Sequence, residues 1–298
     1  MSEINGEDFK VSSPFLLSEH ETRPDVIATE EEIEFTLGLI RKQLSKIQDT
    51  MYAHGRYSML ICLQGMDTSG KDSMIRKVFK GMNPRGIVVH SFKQPNTGEL
   101  EHDYLWRHYI ALPSKGKITV FNRSHYENVL VTRVHPEIVL KENLPGIEDV
   151  ENIPASFWED RMQQICNFEK HLAQNGTIVL KIFLHLGKEE QRQRLLRRLN
   201  EEKHNWKFST GDLHEREHWE EYMQYYEEAI NRTSKPHAPW YVIPADDKGT
   251  ARLIAAQIIL NTLEKYTDIR EPELDDSVKE NLSEYRHLLE EEYKKVPE

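Results

Sequence analysis

The stretch "LQGMDTSGKDSM" (residues 63–74) places Gly65, then four residues, then Gly70 and Lys71, the spacing of a phosphate-binding loop. In such a loop the glycines let backbone N–H groups turn toward phosphate oxygens, the following helix adds positive potential at its N-terminus, and the lysine reaches the transferred phosphate. Thr68 and Ser69 complete the candidate phosphate contacts. The spacing alone also occurs in ordinary strand-to-helix turns. Asp72 stands where a magnesium-holding Ser or Thr is expected. A carboxylate there serves the helix dipole. Asp67, inside the loop, would repel phosphates unless a cation lay between, so it is the candidate metal ligand; a turn residue bonding its own backbone is the alternative.

A second group stands in "FNRSHYENVLVTRVH". Asn122, Arg123, Glu127 and Arg133 lie at or beyond a strand end, where ligands bind in parallel α/β sheets. Arginine forks suit phosphate oxygens, and Asn122 orients a ligand or a metal-bound water without adding charge. Glu127 is a second candidate for the metal. His125 and His135 are read as structural, because phosphoryl transfer needs little proton chemistry. Lys93 follows another strand end and is a phosphate-contact candidate; Arg107 is a weaker one. Residues 188–207 carry seven Lys or Arg against four Glu, with Arg192, Arg194, Arg197 and Arg198 inside seven residues. In a chain of net charge −11 that cluster is placed for a polyanion, although a charge run on a helix is commonly a solvated face.

These residues need a scaffold. "YSMLICLQ" reads as a buried strand running into the loop, and "KDSMIRKVFKGM" as the helix after it. Further apolar runs at 86–92, 117–122, 177–186 and 239–245 read as strands covered on both faces. Helical patterns separate them, notably 154–176, which opens on Pro154 and closes on Gly176. Alternation of this kind implies one doubly wound parallel sheet. Before it, Ile33, Leu37, Ile40, Leu44, Ile47 and Met51 recur at helical spacing behind a Thr29/Glu32 capping box and end near Gly55. This long helix and the acidic tail are expected to be appendages. The tail, 271–298, holds ten acids and four Lys or Arg, net −6.

The bulk properties exclude several classes. Hydrophobic residues at 38% and charged residues at 30% are ordinary for a globular protein. The net negative charge argues against nucleic acid as a partner. Cys62 and Cys166 have no metal-ligand spacing. No apolar run approaches a membrane span, and "MSEINGEDFK" lacks a basic start leading to an apolar core, so a soluble, unexported, cytoplasmic protein is expected.

Five segments in order, "GMDTSGKD", "FKQPNTGELEHDYLWR", "FNRSHYENVLVTRVHPE", "NWKFSTGDLHEREHWEEYMQYYEEAI" and "PWYVIPADDKGTAR", resemble the polyphosphate kinase 2 family over most of residues 30–265. Asn122, where many members carry Asp, is similar to the subgroup acting on both AMP and ADP. The resemblance implies a P-loop kinase-like three-layer α/β/α fold related to thymidylate kinase, with a helical lid at about 188–214. It implies an N-terminal extension over 1–28, one domain over 29–265 and an acidic helical tail over 266–298. It further implies inorganic polyphosphate as donor, adenine and also guanine nucleotides as acceptors, Mg²⁺ with Mn²⁺ as substitute, and a homo-oligomer. Carried over by position, Asp67 binds metal and orients the acceptor, and Lys71 contacts the donor. Asn122 and Arg123 hold phosphates at the reaction centre, while Arg133, Arg194 and Arg198 neutralise charge. Lys207, Ser209 and Asp212 match the lid element, with Lys207 on polyphosphate and Asp212 on the nucleotide; Lys248 and Arg252 match "DKGTAR" without separate duties. Two rivals stand beside this reading: an ATP-dependent nucleoside monophosphate kinase, and a non-catalytic nucleotide or polyphosphate sensor.

Overall fold

Strand β1 (Ser58–Gln64) is buried at every residue and lies at the centre of a five-stranded parallel sheet. Its companions are β2 (Ile87–Ser91), β3 (Ile118–Asn122), β4 (Thr177–His185) and β5 (Trp240–Pro244), in the order β2-β3-β1-β4-β5. The computed structural model describes residues 4–12, 14–24 and 28–294. Residues 1–3, 13 and 25–27 of the expected extension and 295–298 of the tail lie outside the described residues. All five expected strands are present. After β3 the chain crosses from one side of β1 to the other, and the crevice at the carboxyl ends of β1, β3 and β4 is where such sheets bind ligands.

Alternation along β1 sends Met59, Ile61 and Leu63 to one face and Leu60 and Cys62 to the other. The first face is covered by three helices: Glu30–His54, Lys71–Val78 and Lys248–Glu264. The second is covered by Glu127–Val134, Phe157–Gln174 and Trp219–Thr233. This is the expected three-layer arrangement. Glu30–His54 is no appendage, however. Its capping box forms, with Thr29 Oγ1 accepting from Glu32 N at 3.2 Å and the Glu32 carboxylate accepting from Thr29 N at 2.8 Å. Ile33, Leu37, Ile40, Leu44 and Met51 are buried against the sheet layer, while Ile47 is partly buried. Each such side chain contributes about 1.5–3 kcal/mol on burial, so Leu44→Ala would cost about 2–5 kcal/mol.

Residues 4–24 are also integrated where described. Lys10 bridges Tyr241 on the edge strand β5, Phe15 and Leu17 are buried, and Phe15 N donates to Asn231 Oδ1 at 2.9 Å. At the opposite edge, β2 departs from expectation: its residues are half-buried or exposed, because no strand lies beyond it. The tail forms helices Asp276–Glu280 and Leu282–Lys294, exposed on nearly every described side chain. Both cysteines are free and buried.

Candidate functional site

Leaving β1, the chain turns at Gly65, whose φ of 147° and crowded surroundings both demand glycine; a Cβ there would lie 2.9 Å from Leu184 O. Thr68 takes a left-handed φ of 66° and Gly70 one of 107° before the helix Lys71–Val78 begins. For a β-branched threonine that conformation costs about 1–2 kcal/mol, so the surroundings must hold it. Lys71 folds back over the loop, and its Nζ donates to Gly65 O at 2.6 Å and Met66 O at 3.3 Å. Burial, and then the nearby Arg123 guanidinium, push its ammonium down to about 8. The Thr68 and Ser69 hydroxyls are buried without a hydrogen-bond partner. Such unpaired donors cost stability unless a ligand oxygen accepts from them, and phosphate supplies those oxygens.

Arg194 holds the loop in shape. Its five N–H groups are spent on Thr68 O (2.9 Å), Ser69 O (3.3 Å), Ala245 O (2.7 Å), Asp246 O (2.8 Å) and the Glu190 carboxylate (2.7 Å). The expectation of a mobile lid arginine is corrected here. Arg194 is buried, and its donors are already used: four tie the loop backbone to Ala245 and Asp246 after β5, and the fifth goes to Glu190.

At the mouth of the loop Arg123 joins two carboxylates, Asp67 at 2.6 Å and Glu127 at 3.2 Å. Glu127, then Asp67, hold its guanidinium firmly protonated against the opposing effect of burial. Arg123 itself has a φ of 62° and receives its place from the N–H bond to Leu63 O. The Tyr226 hydroxyl faces the same group: burial, and next the charge of Glu127, raise it well above the usual phenol range, with Arg123, Asp67 and the Gly65 backbone also acting on it. Asn122 is placed differently from expectation. Its Nδ2 donates to Asp72 Oδ1 at 2.6 Å and to Ser91 Oγ at 3.2 Å, so its amide donors are engaged. Asp72 is therefore the partner of Asn122 as well as a helix-start residue.

The segment expected to form a lid, about 188–214, holds the helices Lys188–Asn200 and Glu202–Asn205 and most of Thr210–Glu217. Within it Arg198 donates to Lys207 O at 2.9 Å and Asp212 Oδ2 at 2.7 Å, which brings these three expected residues together. Burial, and then the charge of Asp67, push the Asp212 carboxyl up, placing the lid's carboxylate in the field of the loop's. Gln191, buried, donates to Asp67 O at 3.1 Å and accepts from Arg216 Nη1 at 2.7 Å. Sequence patterning carries no signal for Gln191 or Tyr226, since a glutamine in a basic helix and a tyrosine in an aromatic run look ordinary there.

Two candidates lie apart from this network. Arg133 pairs with Glu228 at 2.6 Å and packs over the Tyr225 ring at 4.3 Å. Lys93 is exposed, and its carbonyl accepts from Arg107 at 2.9 Å. The two histidines bond to neighbouring carboxylates, in keeping with structural parts. His125 lies in a fully buried network with Glu169, Tyr126 and Lys181; His135 bonds Glu215 at 3.0 Å, joining the helix Glu127–Val134 to the lid.

The sequence model described as "Polyphosphate kinase 2 (PPK2)" matches residues 28–271. The chain belongs to the polyphosphate kinase 2 family. An ADP-polyphosphate phosphotransferase of Rhodopseudomonas palustris is 50% identical over 223 residues, covering 75% of this chain and 76% of that protein. An AMP/ADP-polyphosphate phosphotransferase of Meiothermus ruber is 45% identical over 228 residues, covering 76% and 80%. The crystal structure of polyphosphate kinase 2 from Arthrobacter aurescens TC1 superposes with a TM-score of 0.83 at 32% identity, over 94% of this chain and 96% of that one.

Kinases of this family use a divalent metal. The residues fit a hard cation in part: Asp67, Glu127 and Asp212 offer carboxylate oxygens, and the effect of Asp67 on Asp212 is a repulsion that a cation would relieve. Among the described residues no three His, Cys, Asp or Glu side chains form a ready cage. Phosphate oxygens and water would complete the shell, as is usual for magnesium. No helix among the described residues is long and apolar enough to cross a membrane.

Proposed function

We propose that this protein transfers phosphoryl groups from inorganic polyphosphate to ADP and AMP, reversibly and with Mg²⁺. The carrying observation is the loop itself: buried, unpartnered Thr68 and Ser69 hydroxyls beside Lys71, facing a mouth built of Asp67, Arg123 and Glu127. The related proteins' names supply both donor and acceptors, with ADP common to the two and AMP in one.

An oxygen of the acceptor's terminal phosphate attacks the donor's end phosphorus, the anhydride bond to the next phosphate breaks, and the shortened polymer leaves with the electron pair. One phosphoanhydride replaces another, so polymer length and nucleotide ratio set the direction. Both reactants are anionic, so catalysis rests on alignment and charge offset. Lys71 and the loop N–H groups hold the donor end. Arg123, released in part from Asp67, neutralises the acceptor phosphate, while Asp67, with Glu127 and Asp212 beside it, offers the carboxylates that would hold Mg²⁺. A divalent metal held there would supply positive charge to offset the charge developing on the transferring phosphoryl group. Gln191 holds the Asp67 backbone in register.

Guanine nucleotides as further acceptors, Mn²⁺ as a substitute, a cytoplasmic setting and a homo-oligomeric state complete the proposal. Free Cys62 and Cys166 support the setting, and Phe35 and Leu39, exposed one turn apart on the first helix, support the oligomer. The deciding assay supplies AMP or ADP with Mg²⁺ and either polyphosphate or ATP as sole donor. Product from polyphosphate is expected; product from ATP alone would convert the assignment to a nucleoside monophosphate kinase. No turnover with either would leave a binding module.

A further inference from the structure

The segment 10–24, described except for residue 13, lies before the stretch matched by the family model, which begins at residue 28. It is nonetheless packed against the elements that carry the site. Lys10 bridges Tyr241 at the start of β5, and Val11 N donates to Trp240 O at 2.9 Å. The chain then crosses the helix Trp219–Thr233. Phe15 N donates to the Asn231 amide at 2.9 Å, Phe15 O accepts from it at 2.7 Å, and Leu17 N donates to the Glu227 carboxylate at 2.7 Å. The Phe15 and Leu17 side chains are buried.

The far end of the segment reaches the carboxyl end of β5. Thr22 and Asp246 bond twice there, Thr22 Oγ1 donating to Asp246 Oδ2 at 2.7 Å and Asp246 N to Thr22 O at 3.0 Å. The other carboxylate oxygen, Oδ1, accepts from Gly187 N at 2.8 Å, and the Asp246 carbonyl accepts from Arg194 Nη2 at 2.8 Å. Asp246 thus joins the segment 10–24, the residue that opens the basic helix Lys188–Asn200, and the arginine that ties this helix to the phosphate loop.

The helix Lys188–Asn200 lacks a capping side chain of its own, because Gly187 stands at its N-cap. A carboxylate brought to that end from elsewhere in the chain meets the positive end of the helix dipole. The fit is close: a Cβ on Gly187 would lie 3.0 Å from Asp246 Oδ2 and 3.1 Å from Thr22 Oγ1. Gly187 has an ordinary extended backbone, with φ of −71°, so this close approach, and not its conformation, calls for glycine. The junction sets where the helix starts, and the first two turns carry that position to the site. Gln191 holds Asp67 O, and Arg194 holds Thr68 O and Ser69 O.

We propose that Asp246 is a positioning residue whose carboxylate is held by Thr22, so that the segment 10–24 sets the register of the basic helix and, through Gln191 and Arg194, the shape of the phosphate loop. The proposal rests on that loop being the centre of phosphoryl transfer. It gives residues outside the matched stretch a part in the reaction.

The experiment uses the full chain with polyphosphate, ADP and Mg²⁺. Thr22→Val removes the hydroxyl at nearly constant volume, and Thr22→Ser keeps it. Asp246→Ala removes both carboxylate bonds; Asp246→Asn keeps an acceptor for Gly187 N and a donor for the Thr22 hydroxyl, which accepts as readily as it donates. Gly187→Ala drives a methyl group into the same junction. Thr22→Val, Asp246→Ala and Gly187→Ala are each expected to lower kcat about tenfold or more with the KM for ADP within about twofold, because displaced loop atoms cost alignment of the reacting groups. Thr22→Ser and Asp246→Asn should stay within about threefold of the parent. Thr22→Val combined with Asp246→Ala should lose no more than Asp246→Ala alone, since Thr22 acts through the carboxylate. In hydrogen exchange, the Gly187 and loop amides of the three impaired variants should exchange about tenfold faster or more, with β1 unchanged. Variants that melt lower yet keep the parent kcat below their transition would reduce the segment to stabilising packing and overturn the proposal, as would a Thr22→Ser as slow as Thr22→Val. If Asp246→Ala does not fold, Thr22→Val and Gly187→Ala decide the question by the same criteria. Faster exchange at Gly187 and the loop, in variants of a parent that shows no turnover with polyphosphate, would support the junction and refute the functional reading instead.

Discussion

Replacing Arg194 by methionine tests whether this residue shapes the phosphate loop or binds the donor. The side chain is 3% exposed and its partner Glu190 is 20% exposed. Methionine would leave four backbone carbonyls without their donor and one carboxylate without its charge partner. Removing one member of such a buried pair costs about 3–5 kcal/mol. For a chain of this length about 2 °C is lost per kcal/mol, so the melting temperature should fall by about 6–10 °C. The strained Thr68 would relax, and kcat would fall together with binding of every substrate. Calorimetry paired with steady-state kinetics reads both. A variant that melts within about 2 °C of the parent while only the KM for polyphosphate rises would show that the guanidinium binds donor, and the clamp would be wrong.

Asp67→Asn should lower kcat by about 10²–10³-fold, the usual loss for one charge-positioning group at a transferring phosphoryl; a loss under threefold, which is about 0.65 kcal/mol, would remove Asp67 from the mechanism. Lys71, held at about 8 in the free enzyme, is cationic below that pH and neutral above it. Its contribution to kcat/KM should therefore be full below about pH 7 and lost as pH rises through about 8, and a profile flat to about pH 10 would contradict the burial argument. Lys181→Met strands the buried Glu169 carboxylate and should cost about 3–5 kcal/mol in urea unfolding, whereas Lys181→Met with Glu169→Leu should recover much of it; a single variant as stable as the parent would show that the pair carries no net stabilisation.

The site was legible where function follows the backbone. Gly65, Gly70 and Lys71 must sit between strand and helix for a phosphate loop to work, so spacing and flanking periodicity located it. Asp67, Arg123 and Glu127 were nominated from position and Asp212 from the family resemblance, and the four converge. Asn122 and Arg133 were nominated from the same strand end and Arg194 from its basic cluster, but neither position nor type reveals a partner: Asp72, Glu228 and the loop carbonyls were each competing acceptors from distant parts of the chain. Lys181 inside an apolar strand gives no warning of Glu169, because the pairing crosses from β4 to the helix before it.

Local order was decided by the sequence alone: strand limits, the Thr29/Glu32 cap, the loop and the acidic tail all follow from hydrophobic period and turn chemistry within a few residues of one another. Tertiary structure decided which charges are spent. Arg194 and Lys248 carry the same charge, yet one is saturated by four backbone carbonyls and Glu190 while the other is set mainly among cations, with Glu190 opposing them. Electrostatic roles depend on distance and burial, and those are set only when helices remote in sequence pack around the same strand ends.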